Sequence, residues 1–185
     1  MRFQHGSSFI GLSVWPRANE IKGTKMIMAI DPGSTESAYC VVDRDCRPVR
    51  FGKIDNNDLL NNLGKVDRLA DVDRCVIEWI SSYGMPVGEE VFDTAFWVGR
   101  FYQTVDWTIP CQLIKRGPVK VHHCGSSRAK DANITQALVD RFTPGQPNHG
   151  KGTKKNPGWF HGFFQDIWQA YALAVYALDT AKVPA

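Results

Sequence analysis

The stretch Met26-Ile27-Met28-Ala29-Ile30-Asp31-Pro32-Gly33-Ser34 is an unbroken apolar run that stops at a carboxylate and a Pro-Gly turn. A short apolar segment bounded by turn formers reads as a strand, here over residues 26–30. Two further strand-like stretches, 37–43 and 48–54, follow at once, set off by Asp31-Pro32-Gly33-Ser34 and Asp43-Arg44-Asp45. Three short strands joined by tight turns predict an antiparallel meander. Upstream, residues 1–25 show no sustained period and hold Arg2, Arg17, Lys22 and Lys25 against Glu20. They are expected to form an N-terminal extension outside the fold.

Downstream, a short helix is expected at 58–69, and Cys75-Val76-Ile77 leads a fourth strand into Glu78. Across 87–107, Val91, Ala95, Val98, Tyr102 and Val105 recur at spacings of four and three, the period of an amphipathic helix. Glu89 and Glu90 suit its positive N-terminal end. Phe92, Phe96 and Trp97 lie off that stripe, so either the helix is broadly buried or a second face meets another subunit. A fifth strand at 111–114 and a helix at 129–141 follow. A long mobile loop rich in Gly, Pro, Asn and Lys is expected at 143–158, and a helix apolar almost all round at 163–180. This order predicts an α/β fold over residues 26–183: a mixed five-stranded sheet flanked by helices, compatible with a ribonuclease H-like fold.

With 185 residues, 43% of them apolar and 22% charged, the chain can build one globular domain with a sizeable core. No apolar stretch reaches the ~18 residues of a membrane span, and the first 25 residues lack an export signal's apolar region, so an intracellular location is expected. The five cysteines contain no C-x-x-C pair and are expected to be reduced and mostly buried. Net charge is only +3, but residues 100–160 hold ten Lys and Arg against three Asp and Glu. Lys115, Arg116, Arg128, Lys130, Lys151, Lys154 and Lys155 belong to this basic segment, interleaved with aromatics such as Trp107 and Trp159. Such a segment suits a phosphate backbone; a solvated face explains the charge alone equally well.

Asp31 ends the first strand, Glu78 ends the fourth, and Asp166 opens the polar edge of the last helix. An unpaired charge at the rim of an apolar element is costly, so three of them need a common explanation. Hard divalent cations supply one, because Mg²⁺ is held by a few carboxylates, waters and phosphate oxygens, and such ions promote phosphodiester cleavage.

These motifs resemble those of RuvC-type Holliday junction resolvases, especially the phage-encoded branch. The resemblance rests on Ile30-Asp31-Pro32-Gly33-Ser34, Ile77-Glu78, the segment from Cys124 through Arg128, Lys130 and Asp131 to Asn133, and Asp166-Ile167-Trp168-Gln169-Ala170. It implies a homodimeric endonuclease, dependent on Mg²⁺ with Mn²⁺ as a substitute, that nicks paired strands of a four-way DNA junction. Asp31, Glu78 and Asp166 then match the metal ligands, and the location is the cytoplasm of a bacterial or phage-infected cell. The bacterial enzymes usually carry a further acid three residues before the last aspartate, where this chain has Phe163. His161, five residues before Asp166, would lie ~140° around a helix from it and so poorly placed to share an ion. A broader branched-DNA endonuclease and a non-cleaving junction-binding module are the competing functions.

Weaker signals point elsewhere or nowhere. Gly145 to Lys151 has P-loop spacing, but Gly152 stands where a Ser or Thr is required, so no nucleotide site is expected. His122 and Cys124 would share a face if they lay on a strand, yet no second pair of soft ligands accompanies them, and a packed strand end is expected. Tyr83 and Met85, just beyond Glu78, are candidates to wedge between unstacked bases. Lys130, at the start of its helix, is a candidate phosphate contact.

Overall fold

The meander forms as expected. In the computed structural model, which describes residues 26–81 and 88–181, it consists of β1 (Met26–Asp31), β2 (Glu36–Val42) and β3 (Pro48–Asp55). β4 (Val72–Trp79) and β5 (Cys111–Lys115) extend the sheet on the other side of β1, giving the order β3-β2-β1-β4-β5. β1 pairs antiparallel with β2 but parallel with β4, and β4 parallel with β5, so the sheet is mixed. Continuous apolar runs in β1 and in Cys75-Val76-Ile77 follow from burial on both faces.

Side-chain alternation divides the core in two. Ile27, Ala29, Ala38, Cys40 and Val76 face α4 (Arg116–Cys124), α5 (Asp131–Phe142) and the central α6 (Ile167–Ala181). Met28, Ile30, Tyr39, Val41 and Ile77 face α1 (Asn56–Leu63), α2 (Val66–Leu69) and α3 (Glu89–Asp106). The expected helix at 58–69 is thus two helices: α1 is capped by the Asp55 carboxylate, which accepts from the backbone N–H of Asn57 and Asp58, and it stops at Gly64. On α3, Val98 and Val105 are buried as the stripe requires, Phe101 completes the face, and Val91 is exposed because the first turns lie outside the core. Trp97 stacks on Phe101, whereas Phe92 and Phe96 are 64% and 62% exposed. Among the described residues no helix is long and apolar enough to cross a membrane.

Two sequence expectations need correction. His122 to Cys124, read as a packed strand end, lie in α4, which can start at Arg116 because Pro118 falls in a first turn whose N–H groups need no intrahelical partner. His122 and Cys124 therefore lie on different faces; His122 Nε2 meets Asp179 Oδ2 at 2.8 Å and His123 Nε2 meets the Ala172 carbonyl at 2.9 Å. The last helix begins at Ile167, after a series of turns that buries Phe160 and Phe163. The 143–158 segment holds a 3-10 turn at Asn148–Gly150, a bridge between Gly152 and Pro157, and a buried Thr143. None of the five cysteines is in a disulfide, and Cys40, Cys46 and Cys75 are buried.

Gly150 fastens that loop to the domain. Its φ of 68° is left-handed, and a Cβ there would stand 2.4 Å from the Thr143 side chain. Gly145 has a similar φ of 72° with open space around it. Gly145→Ala should therefore cost only the left-handed penalty, ~1–2 kcal/mol, while Gly150→Ala adds the clash and should lower the melting temperature further. Thermal denaturation of the two variants side by side measures the difference.

Candidate active site

Strand register assembles the site. Ile30 pairs with Ile77 across the parallel β1–β4 ladder, so the next row brings Asp31 beside Glu78. Asp31 pairs with Ala38 on β2, Ala38 pairs with Lys53 on β3, and Glu78 pairs with Ile114 on β5. Residues in register point to one face, so Glu78, Asp31, Ala38 and Lys53 form a single row on the side covered by α6. Asp166 immediately precedes α6, where its carbonyl accepts from the N–H groups of Gln169 and Ala170, and its carboxylate faces that row.

The turn after Asp31 is locked from below. Asn56 is fully buried; its Nδ2 donates to the Gly33 carbonyl at 3.0 Å, and its Oδ1 accepts from Ser37 Oγ at 2.5 Å. Gly33 is required by the tightness of the turn, since a Cβ would stand 2.3 Å from the Glu36 carbonyl oxygen. This fixes the Asp31 end of β1 without offering Asp31 a counter-charge.

Cations flank the row. Arg116 Nη1 donates to both Glu78 oxygens at 2.9 Å, and its Nη2 donates to Asp131 Oδ1 at 2.6 Å. Lys53 Nζ lies 2.8 Å from Asp166 Oδ2 and 4.0 Å from Glu36 Oε2. Desolvation, then the negative charge of Glu78, pushes the Asp31 carboxyl well above the usual aspartate value, with Asp166 and Asp131 adding to the effect. Glu78 is raised as well, by burial, although Arg116 opposes the shift.

The acids Asp31, Glu78 and Asp166 offer carboxylate oxygens, the chemistry a hard divalent ion requires, and the Asp31–Glu78 pair fits such an ion in type and charge. Among the described residues, however, no three acidic, His or Cys side chains converge into a ready-made metal cluster. Glu78 and Asp166 each spend oxygens on a basic side chain instead.

Comparison with known proteins bears on the fold. No family model and no curated protein matches the chain. A structure of Thermus thermophilus RuvC aligns with TM-score 0.59 at 14% identity, covering 84% of this chain and 95% of that one. T. thermophilus RuvC in complex with a Holliday junction substrate aligns with TM-score 0.59 at 13% identity, covering 85% and 94% of the two chains. The fold is RuvC-like. Within this RuvC-like fold, Phe163 is buried in the aromatic core, edge-on to Phe51 with centroids 4.6 Å apart. His161 is not on a helix at all, and its Nδ1 lies 3.2 Å from the Lys151 carbonyl.

The other expected residues scatter. Lys115 is exposed at the end of β5, Arg128 and Lys130 are exposed before α5, and Lys154 and Lys155 are exposed on the 143–158 loop, with Lys151 half-buried. Arg116 is turned toward the acids. Tyr83 and Met85 lie outside the described residues. Sequence reasoning missed Lys53 and Asp131; the alternation of Phe51 and Lys53 in a strand already assigned would have put a lysine on the buried face.

A raised carboxyl favours its neutral form in the folded state. Ionisation therefore costs stability as pH climbs through the unfolded value of about 3.8 toward the higher folded value, and the penalty is complete above that. Asp31→Asn has no charge to bury, so it should melt higher than the wild type at pH 7.5 without divalent ions, and the gap should close near pH ~4. Melting curves at the two pH values check this, and a wild type that is the more stable protein at pH 7.5 contradicts it.

Proposed function

We propose that the chain is a structure-specific DNA endonuclease that resolves four-way junctions by paired nicks, using Mg²⁺ or Mn²⁺. The supporting observation is Asp31 beside Glu78 at the ends of two parallel strands, with Asp166 facing them, on a RuvC-like sheet. Asp31 and Glu78 would hold a divalent ion, and Asp166 would join them on release from Lys53. Such an ion, when bound, supplies Lewis acidity and lowers the pKa of water. The chain's own residues position the reaction: the Asn56 network fixes the turn after Asp31, and Arg116 orients Glu78.

Exposed Arg128 and Lys130 at the start of α5, Lys115, and Lys151, Lys154 and Lys155 of the loop supply the positive charge to receive DNA strands on this reading. Paired nicks need two sites, and the exposed Phe92 and Phe96 of α3 are the face on which we place a homodimer contact. No nucleotide or membrane takes part. The ion pairs on Glu78 and Asp166 favour one second reading, a junction-binding module that does not cleave.

Incubation with labelled four-way, Y-fork and linear DNA in Mg²⁺ decides between them. Four-way junctions should be cut, and Asp31→Asn should reduce cutting by several orders of magnitude while leaving junction affinity intact or slightly higher. Cutting of Y-forks as fast as junctions would broaden the activity to branched DNA generally; no cutting of any substrate would leave only the binding module. Replacing Lys151, Lys154 and Lys155 by Ala should weaken junction binding and flatten its salt dependence by a slope of about 0.9 per lost phosphate contact, without moving the cut. An unchanged slope would remove the loop from the DNA interface.

A further inference from the structure

Lys53 shares the row of Asp31, with only the small Ala38 between them, on the face turned to α6. Its ammonium reaches the site rim, where its side chain is 20% exposed. The residue that precedes Asp166, Gln165, takes a left-handed φ of 42°, a costly conformation for a side-chain-bearing residue, in the turn that delivers Asp166 opposite Lys53.

Donor arithmetic separates the two cations of the site. Arg116 commits its guanidinium to Glu78 and Asp131 by three contacts of 2.9 Å or less. Lys53 makes one short contact, 2.8 Å to Asp166, and one long one, 3.4 Å to Gln165 Oε1, while Glu36 at 4.0 Å is beyond hydrogen-bond reach. An ammonium has three N–H donors, so Lys53 keeps capacity to bind a further oxygen at the rim. A phosphodiester entering among Asp31, Glu78 and Asp166 meets three acids, and the ammonium is the positive group on the Asp166 side.

We propose that Lys53 contacts substrate: its ammonium takes a non-bridging oxygen of the DNA phosphate that lies between Asp31 and Asp166. The inference rests on the nuclease reading and adds to it a protein-borne cation. No bond changes at Lys53; it neutralises charge and holds the phosphate in place. The alternative is a lysine that merely offsets Asp166.

A double-variant cycle separates the two, read as four-way junction binding across a salt series without divalent ions. Lys53→Gln should reduce the salt slope by about 0.9, a change of about threefold in relative affinity over a fourfold range of salt. Lys53→Gln combined with Asp166→Asn should keep that reduced slope, and Lys53→Arg should restore the wild-type slope while confirming that the site tolerates substitution. Recovery of the wild-type slope in the double variant, or an unchanged slope in Lys53→Gln, overturns the inference and leaves the nuclease reading standing. A wild type that neither binds nor cuts the junction removes both.

Discussion

Asp31 and Glu78 are like charges set side by side by the register of two parallel strands whose other central residues are apolar and buried, and their surroundings are organised around that repulsion. Burial limits how well water screens the pair. Burial raises both carboxyls, and Arg116 opposes the rise at each, by direct hydrogen bonds only at Glu78. A buried pair of carboxylates is less stable than its neutral equivalent, a cost that persists where activity requires it.

The opposite wall is built from aromatics. Phe160, Phe163, Trp168 and Tyr171 contact one another edge-on or tilted, with centroids 4.6 to 5.5 Å apart, and Tyr171 donates its hydroxyl to the Cys46 carbonyl at 2.9 Å. This cluster fixes the start of α6 and hence the height of Asp166 over the row. With Phe163 committed to packing, the α6 side offers the site one carboxylate, and the cation there is Lys53 from the sheet. A charge introduced at Phe163 would be buried among rings with no partner.

The sheet was readable because its signals are local. Apolar runs ending in Asp31 and Glu78, with turn residues between them, specify strands, whereas the parallel pairing that brings the two acids together joins strands distant in sequence. What the residues did not disclose was non-local or broke a local rule. Gly117 and Pro118 disguise α4, whose existence depends on the first-turn exemption and on Gly125 at its end. Arg116 looked like one of many basic residues suited to DNA; only the register of Glu78 with Ile114 shows that it begins a helix two residues beyond that row and turns back on the acid. Alternation could have put Lys53 on the buried strand face, but its place in the site shows only once Asp166 is seen opposite it.

That guanidinium also joins the two electrostatic halves of the sequence. Residues 100–160 carry all of the excess positive charge, the rest of the chain being net negative, and the acids of the row come from outside that segment. α4 follows β5 without a linker, so the position of Arg116 is set by the same ladder that sets Glu78. Its second arm holds Asp131, the first residue of α5, directly after Lys130. The exposed Arg128 and Lys130 are therefore tied to the row through one side chain, and on the proposed function a strand drawn onto that basic helix end would be held at a set distance from Asp31. Charge asymmetry along the chain becomes, through a single residue that bridges two acids, a fixed geometry between the surface that would attract DNA and the carboxylates that would act on it.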